Sequence, residues 1–430
     1  MSVRAVARVN LAAIERNVAR LRRELGPTTA LCAVVKADGY GHGALPAARA
    51  ALAGGASWLA VVAAQEAAAL RAAGIDVRLL VMGALSPREL DMALAADADV
   101  VAWDERFVAA VAAGGGGAVH VKLDTGMGRL GTRDPAEATR VAEAAASADD
   151  VRLSGAMTHF ATADDRGDPF MHEQLARFVD WVAPLRDAHP GLVVHAANSA
   201  ATLRDPATHF DLVRTGVAIY GMDPFGEDAA ARELEPALEL RSRVGAVKPV
   251  APGESVGYGR RFVARAPTHV ATLPIGYGDG VRRALTNNAD VLVGGVRYPL
   301  VGTVSMDNVA IDVGAPPAVA VGDEAVLVGA QGDERIPAEE VALRLDTINY
   351  EITCGLLPRV PREYHRDGQP DDLGDRRRAA ASSGEPEDLG DRRRAEACSG
   401  ELDDLGDRRR ASASSGEPDS AAHPGATGEP

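Results

Sequence analysis

The sequence predicts an α/β fold: an N-terminal (β/α)8 TIM barrel, then an all-β domain, then a disordered C-terminal tail. Three observations predict it. Up to about residue 225, eight short apolar runs alternate with helical stretches. Strand–helix alternation builds a parallel sheet, and eight such units suit a closed barrel. From about residue 230, short strand-like runs are parted by Gly and Pro turns, the texture of a β domain. From residue 367 the chain turns Ser-, Gly- and Pro-rich, and Asp-Leu-Gly-Asp-Arg-Arg-Arg-Ala recurs at Asp372, Asp388 and Asp404 with a period of 16. Each repeat holds one Leu, too little apolar surface to offset the entropy of ordering. The expected boundaries are 1–228, 229–366 and 367–430, with the first nine residues pairing with the β domain.

The elements follow in order. Asn10, Leu11, Ile14, Val18, Leu21 and Leu25 have the spacing of a capped amphipathic helix. Barrel strands are expected at Leu31–Val35, Trp58–Val62, Arg78–Val81, Val100–Ala102, Val119–Leu123, Leu153–Met157, Leu192–His195 and Leu212–Arg214. Helices between them include Ala64–Ala73, Glu105–Ala113, Pro135–Ala146 and His172–Ala188. An open doubly wound sheet is the alternative, but the first βα turn, Lys36 to Gly43, lacks its dinucleotide fingerprint. The β domain should contain Val244–Val250, His269–Leu273, Val291–Val293, Val296–Val301, Val309–Val313 and Glu324–Leu327, ending near Tyr364.

Composition narrows the function. The chain has 430 residues and a net charge of −15, which argues against nucleic acid and anionic membranes as partners. No apolar run reaches the roughly 18 residues of a membrane span. The N-terminus, interrupted by Arg4 and Arg8, does not read as a signal peptide. Cys32, Cys354 and Cys398 are too few and too scattered for a disulfide framework or a four-cysteine zinc site. A cytoplasmic protein without a metal site is expected.

Of 46 basic residues only three are lysines: Lys36, Lys122 and Lys248. Under so strong an arginine bias, a retained lysine suggests chemistry arginine cannot do, such as losing a proton or forming a Schiff base. Lys36 closes the first barrel strand, on the face where barrels place catalytic groups. Lys122 should point into the barrel, since Val121 and Leu123 face the other way. A bare ammonium there is costly unless paired or modified. Lys248 carries no assigned chemistry. The loops after strands seven and eight offer Asn198, Ser199, Gly216 and Val217, suited to a phosphate. An early-strand lysine opposite a late phosphate cradle is the layout a pyridoxal phosphate enzyme needs. His159 ends strand six. Tyr258 sits between glycines, and Ser305-Met306-Asp307 interrupts a strand pattern, which reads as a site loop or a tight hairpin.

Ala33 through Gly43 resembles the pyridoxal phosphate attachment signature of alanine racemases. Asp124 through Gly131, Arg214 through Gly221, Gly257-Tyr258-Gly259, Pro274 through Gly280, Val301 through Asp307 and Ile348 through Glu351 are similar to further family motifs in family order. The resemblance covers residues 4 to about 364 and excludes the repeat tail. It implies a pyridoxal phosphate-dependent racemase acting on L- and D-alanine as a head-to-tail homodimer with shared active sites. Such an enzyme would supply D-alanine for peptidoglycan. Lys36 would carry the cofactor and act as one base. Tyr258 of the second subunit would be the other. Tyr40, Ser199, Gly216, Val217 and Tyr350 would hold the phosphate, with Asn198 beside them. Arg214 would face the pyridine nitrogen with His159 bonded to it. Arg129, Met306, Asp307 and Tyr277 would meet the substrate. Lys122 would be a carbamate holding Arg129. A serine or broad-specificity racemase is the alternative. Arg214 speaks against a decarboxylase, and residues 230–364 against a single-domain pyridoxal-binding protein.

Overall fold

The computed structural model describes residues 3–371. The expectations for the repeats at Asp372, Asp388 and Asp404 lie outside the described residues.

The chain opens with β1 (Ala5–Asn10), followed directly by the helix Leu11–Arg22. Asn10 caps that helix by accepting from the Ala12 amide at 3.2 Å, and Leu11, Ile14, Val18 and Leu21 are buried along one stripe. Eight parallel strands then form the barrel: β2 (Ala30–Val34), β3 (Trp58–Val61), β4 (Arg78–Val81), β5 (Ala98–Ala102), β6 (Gly117–Lys122), β7 (Val151–Met157), β8 (Val193–His195) and β9 (Leu212–Thr215). The sheet order runs β8-β7-β6-β5-β4-β3-β2-β9. The last seam is bridged by Asp211 N–H to the Val194 carbonyl and Arg214 N–H to the Ala197 carbonyl, both 3.0 Å. The buried apolar residues of the barrel region are mostly Val, Leu and Ala, in keeping with the scarcity of aromatics.

Beyond the barrel lie β10 (Leu238–Arg243), β11 (Ala246–Val250), β12 (Ser255–Val256), β13 (Phe262–Val263), β14 (Thr268–Leu273), β15 (Asp290–Val293), β16 (Val296–Pro299), β17 (Val309–Asp312), β18 (Glu324–Gln331), β19 (Glu334–Ile336), β20 (Arg362–Arg366) and β21 (Gln369–Pro370). The main sheet has the order β16-β15-β18-β10-β1-β20-β21, with β19 on β18. β1 pairs antiparallel with β10 and parallel with β20. β11, β14 and β17 make a second, three-stranded sheet. Two short helices, Ala338–Arg344 and Asn349–Cys354, interrupt this β-rich region. The second carries Tyr350.

Residues 367–371 differ from their expected place in the tail. Asp367 and Gly368, at φ of 48° and 87°, turn the chain so that β21 pairs back on β20. Asp-Gly is the dipeptide a two-residue hairpin turn demands, and it outweighs the polar composition that suggested disorder.

Candidate active site

At the C-terminal ends of the barrel strands lies a cavity of about 550 Å³. Lys36, Tyr40, Lys122, Arg129, His159, Asn198, Ser199, Arg214, Gly216, Val217 and Tyr350 all line it, together with Met82, Met157 and Cys354.

Lys36 leaves β2 at the rim. The chain then takes a turn of left-handed helix: Ala37, Asp38, Gly39 and Tyr40 have φ of 52°, 52°, 62° and 53°. That conformation costs about 1–2 kcal/mol for each non-glycine residue, so other groups must hold it. Glu66 accepts from the Ala37 amide at 2.6 Å, and Asp38 accepts from the Ala44 amide at 2.9 Å. His42 Nδ1 sits 3.0 Å from both the Gly39 and Tyr40 carbonyls, so that nitrogen carries the proton and donates. The His42 ring stacks on Tyr220 at 4.4 Å. The turn aims Tyr40 inward, 5.1 Å from the Tyr220 ring and 5.9 Å from the Tyr350 ring.

Opposite Lys36, Ser199 Oγ accepts from the Gly216 amide at 2.9 Å. Gly216 lies directly against the Tyr40 hydroxyl, and a Cβ there would overlap it. Tyr40, Ser199, Gly216, Val217 and Tyr350 line the same part of the site through the contacts Ser199–Gly216, Gly216–Tyr40 and Tyr40–Tyr350, a cradle whose hydroxyl and amide groups could hold an anion.

Three further basic side chains, Lys122, Arg129 and Arg214, line the same cavity as Lys36. Burial and nearby Arg129 push the Lys36 amine below its ordinary value. Lys122 is 5% exposed, and burial, reinforced by Arg214 and Arg129, lowers it to about 8. The adjacent carboxylate, Asp124, is already engaged by the amides of Gly126 and Gly128 and by Arg133. Arg214, 3% exposed, donates to His195 Nδ1 at 2.8 Å, His159 Nδ1 at 3.2 Å, and the carbonyls of Thr158 and Ala196 at 2.9 Å. Burial brings it down to about 10. Burial and Arg214 hold His159 far below its ordinary value, so its ring is neutral. Among the described residues no group of three or more His, Cys, Asp or Glu could hold a metal ion, and no helix is long and apolar enough to cross a membrane.

The four remaining sequence-derived residues lie elsewhere in this chain. Tyr258 is 74% exposed, and Tyr277, Met306 and Asp307 are exposed too. They share one surface patch of the β-rich region. Thr303 Oγ1 donates to the Tyr258 carbonyl at 2.6 Å, and the Tyr277 amide donates to the Ser305 carbonyl at 3.0 Å. Asp307 is held by Arg359 at 2.6 Å.

The sequence reading missed the groups behind Arg214. His195, His120 and Asp99 form a buried polar file through the barrel interior. One signal for it was available: His120 lies two residues before Lys122, on the same inward face of β6. It also missed Glu66 and His42, which act on backbone groups and leave no pattern at fixed spacing.

The donor set fits pyridoxal phosphate. A half-buried lysine, a polar anion cradle and a fixed guanidinium line a single cavity. Comparisons with known proteins identify the family. Residues 9–224 match the family model "Alanine racemase, N-terminal domain", and residues 237–364 match "Alanine racemase, C-terminal domain". The chain is 43% identical over 364 residues to the alanine racemase of Symbiobacterium thermophilum, covering 83% of this chain and 96% of that protein. It is 43% identical over 375 residues to that of Frankia casuarinae, covering 84% and 96%. The crystal structure of alanine racemase from Streptomyces lavendulae superposes with a TM-score of 0.80 at 40% identity, covering 85% of this chain and 98% of that one. Identity at this level, across both halves and around a cavity with this donor set, means that the chain belongs to the alanine racemase family.

Proposed function

We propose that this protein interconverts L- and D-alanine with pyridoxal phosphate, in the cytoplasm, and supplies D-alanine for peptidoglycan. One observation carries the reading: Lys36, Arg214 and the Tyr40–Ser199–Gly216–Tyr350 cradle converge on one cavity at the catalytic end of the barrel.

Lys36 is the attachment lysine, the cradle with Val217 holds the phosphate, and Arg214 faces the pyridine nitrogen with Asn198 and His159 alongside. The bound cofactor would withdraw electrons from the substrate's Cα–H bond and make that proton removable. Arg214 would donate a hydrogen bond to the ring nitrogen without surrendering its proton, because a guanidinium is a far weaker acid than a pyridinium, so it limits how far the charge spreads and favours return of the proton over transamination.

Racemisation needs a proton taken from one face of Cα and returned on the other. Lys36, its amine depressed by burial and Arg129, serves the face of the D-enantiomer. The opposite base is Tyr258 from a second copy of the chain, and its exposed position on the β-rich surface suits it to reach across. Arg129 meets the substrate carboxylate, with Met306, Asp307 and Tyr277 of the second copy beside it. Lys122 takes up CO2 with loss of a proton, and the resulting carbamate pairs with Arg129. Its low pKa and engaged neighbour, Asp124, support that assignment.

The test is polarimetry on alanine, serine and lysine with the full-length, cofactor-loaded protein. Alanine should be racemised with the highest kcat/KM, and preference for either other substrate would overturn the reading. Lys36→Ala should lose both the visible absorbance of bound pyridoxal phosphate and the activity.

A further inference from the structure

A single file of hydrogen bonds crosses the barrel interior from its N-terminal end to Arg214. Arg78, the first residue of β4, pairs with Asp99 Oδ2. The same Asp99 oxygen lies 3.0 Å from His120 Nε2. His120 Nδ1 is 2.8 Å from His195 Nε2, and His195 Nδ1 is 2.8 Å from Arg214 Nη1. Asp99, His120, His195 and Arg214 are all buried. Gly155 on the neighbouring strand leaves room for the His120 ring, since a Cβ there would strike it. Arg78 packs over Trp58 at 3.8 Å, and Trp58 meets the edge of His120.

The two ends fix every proton between them. Arg214 can only donate, so His195 Nδ1 must accept, and its proton sits on Nε2. That proton goes to His120 Nδ1, whose own proton sits on Nε2 and goes to the Asp99 carboxylate. Burial keeps both rings neutral, with the Arg214 charge adding to it. All donors point the same way, and Arg78 balances the anion at the far end.

We propose that Asp99, His120 and His195 are positioning residues: a one-way hydrogen-bond relay that sets the His195 tautomer and so fixes the Arg214 guanidinium toward the pyridine nitrogen. The kinetic side of this rests on the racemase reading; the proton positions do not. The logic is that of the aspartate that sets a histidine tautomer in a serine-protease triad.

Asp99→Ala against Asp99→Asn separates the relay from bulk structure. One carboxylate oxygen takes both Arg78 and His120, so asparagine can place its carbonyl oxygen there and preserve the direction. With alanine, the His120 Nε2–H loses its acceptor, and Arg78, still bonded to Ser154 Oγ, presents a competing donor to that nitrogen. Donors then stand at both ends of the pair, so the two rings exchange between the Nε2–H and Nδ1–H directions, and in the second an N–H faces Arg214. ¹⁵N-histidine NMR of the cofactor-loaded protein reads this directly, with His120→Phe and His195→Phe for assignment. Wild type and Asp99→Asn should show both rings as neutral Nε2–H tautomers, and Asp99→Ala should show a substantial Nδ1–H population in both. Asp99→Ala should lose about tenfold to a hundredfold in kcat, the range for removing an outer partner that orients a histidine, with KM little changed. Asp99→Asn should stay close to wild type. A cationic or Nδ1–H ring in wild type, unchanged tautomers in Asp99→Ala, unchanged kcat despite shifted tautomers, or equal kinetic loss in both variants would each overturn the relay. A wild type that fails to racemise alanine would sink the racemase reading while leaving the tautomer result to decide the relay.

Discussion

Lys122 is the residue whose titration says most about the site. In the folded protein it loses its proton near 8, against an ordinary value of 10.5. Between those values the unfolded chain binds a proton that the folded chain does not, so this residue makes stability rise with pH across that window. Urea unfolding at pH 8 and pH 10 in CO2-free buffer should show the wild type gaining relative to Lys122→Met. Parallel behaviour of the two would mean the amine stays protonated in the fold. Inward alternation along β6 was enough to locate Lys122 from the sequence. The same alternation puts His120 on the inward face, yet it was passed over, because a lone histidine on an apolar strand carries no chemical signature, and only the structure shows Asp99 and His195 in line with it.

At the scale of elements, the barrel strands were legible because apolar runs bounded by helices have few other uses. The strand ends then located Lys36, Lys122, His159, Ser199, Gly216 and Val217, whereas Arg129, Tyr350 and the roles of Tyr40 and Arg214 came from the family resemblance. β10 was not legible. Its inward Leu238, Leu240 and Ser242 alternate with Glu239, Arg241 and Arg243, and the charged half of that pattern reads as a linker. The left-handed turn after Lys36 was also hidden, because Ala37, Asp38 and Tyr40 have no preference for positive φ. The turn and the β9 loop meet at Gly216. Gly216→Ala should leave the fold intact yet displace Tyr40, so the apoprotein should bind pyridoxal phosphate at least about tenfold more weakly, the cost of a displaced anchor of ~1.4 kcal/mol or more. Fluorescence titration measures this, and unchanged affinity would remove Tyr40 from the cradle.

At the scale of the whole molecule, the cavity and the Tyr258 patch are two halves of one proposed site, each incomplete in a single chain. Shared sites make a prediction about mixtures. A chain with Lys36→Ala keeps Tyr258, and a chain with Tyr258→Ala keeps Lys36. Each mixed dimer then has one intact site and one doubly defective one. Refolding the two inactive variants together in equal amounts should recover about one quarter of wild-type activity, from half the dimers with half their sites. Sites built within one chain would recover nothing.

The placement of β1 has a consequence for how the protein is made. β1 is synthesised first, yet both its partners come late: β10 begins at Leu238 and β20 at Arg362. At ribosomal rates of roughly 5–20 residues per second, the first of these appears about ten to fifty seconds afterwards. During that interval the barrel can assemble, while a strand rich in Ala and Val waits with both edges open. Arg4 and Arg8, at and beside that strand, are the charges that discourage it from pairing with a stranger in the meantime. The β-rich sheet is therefore the clasp that closes last, and its closing joins the two ends of a chain whose middle is already folded.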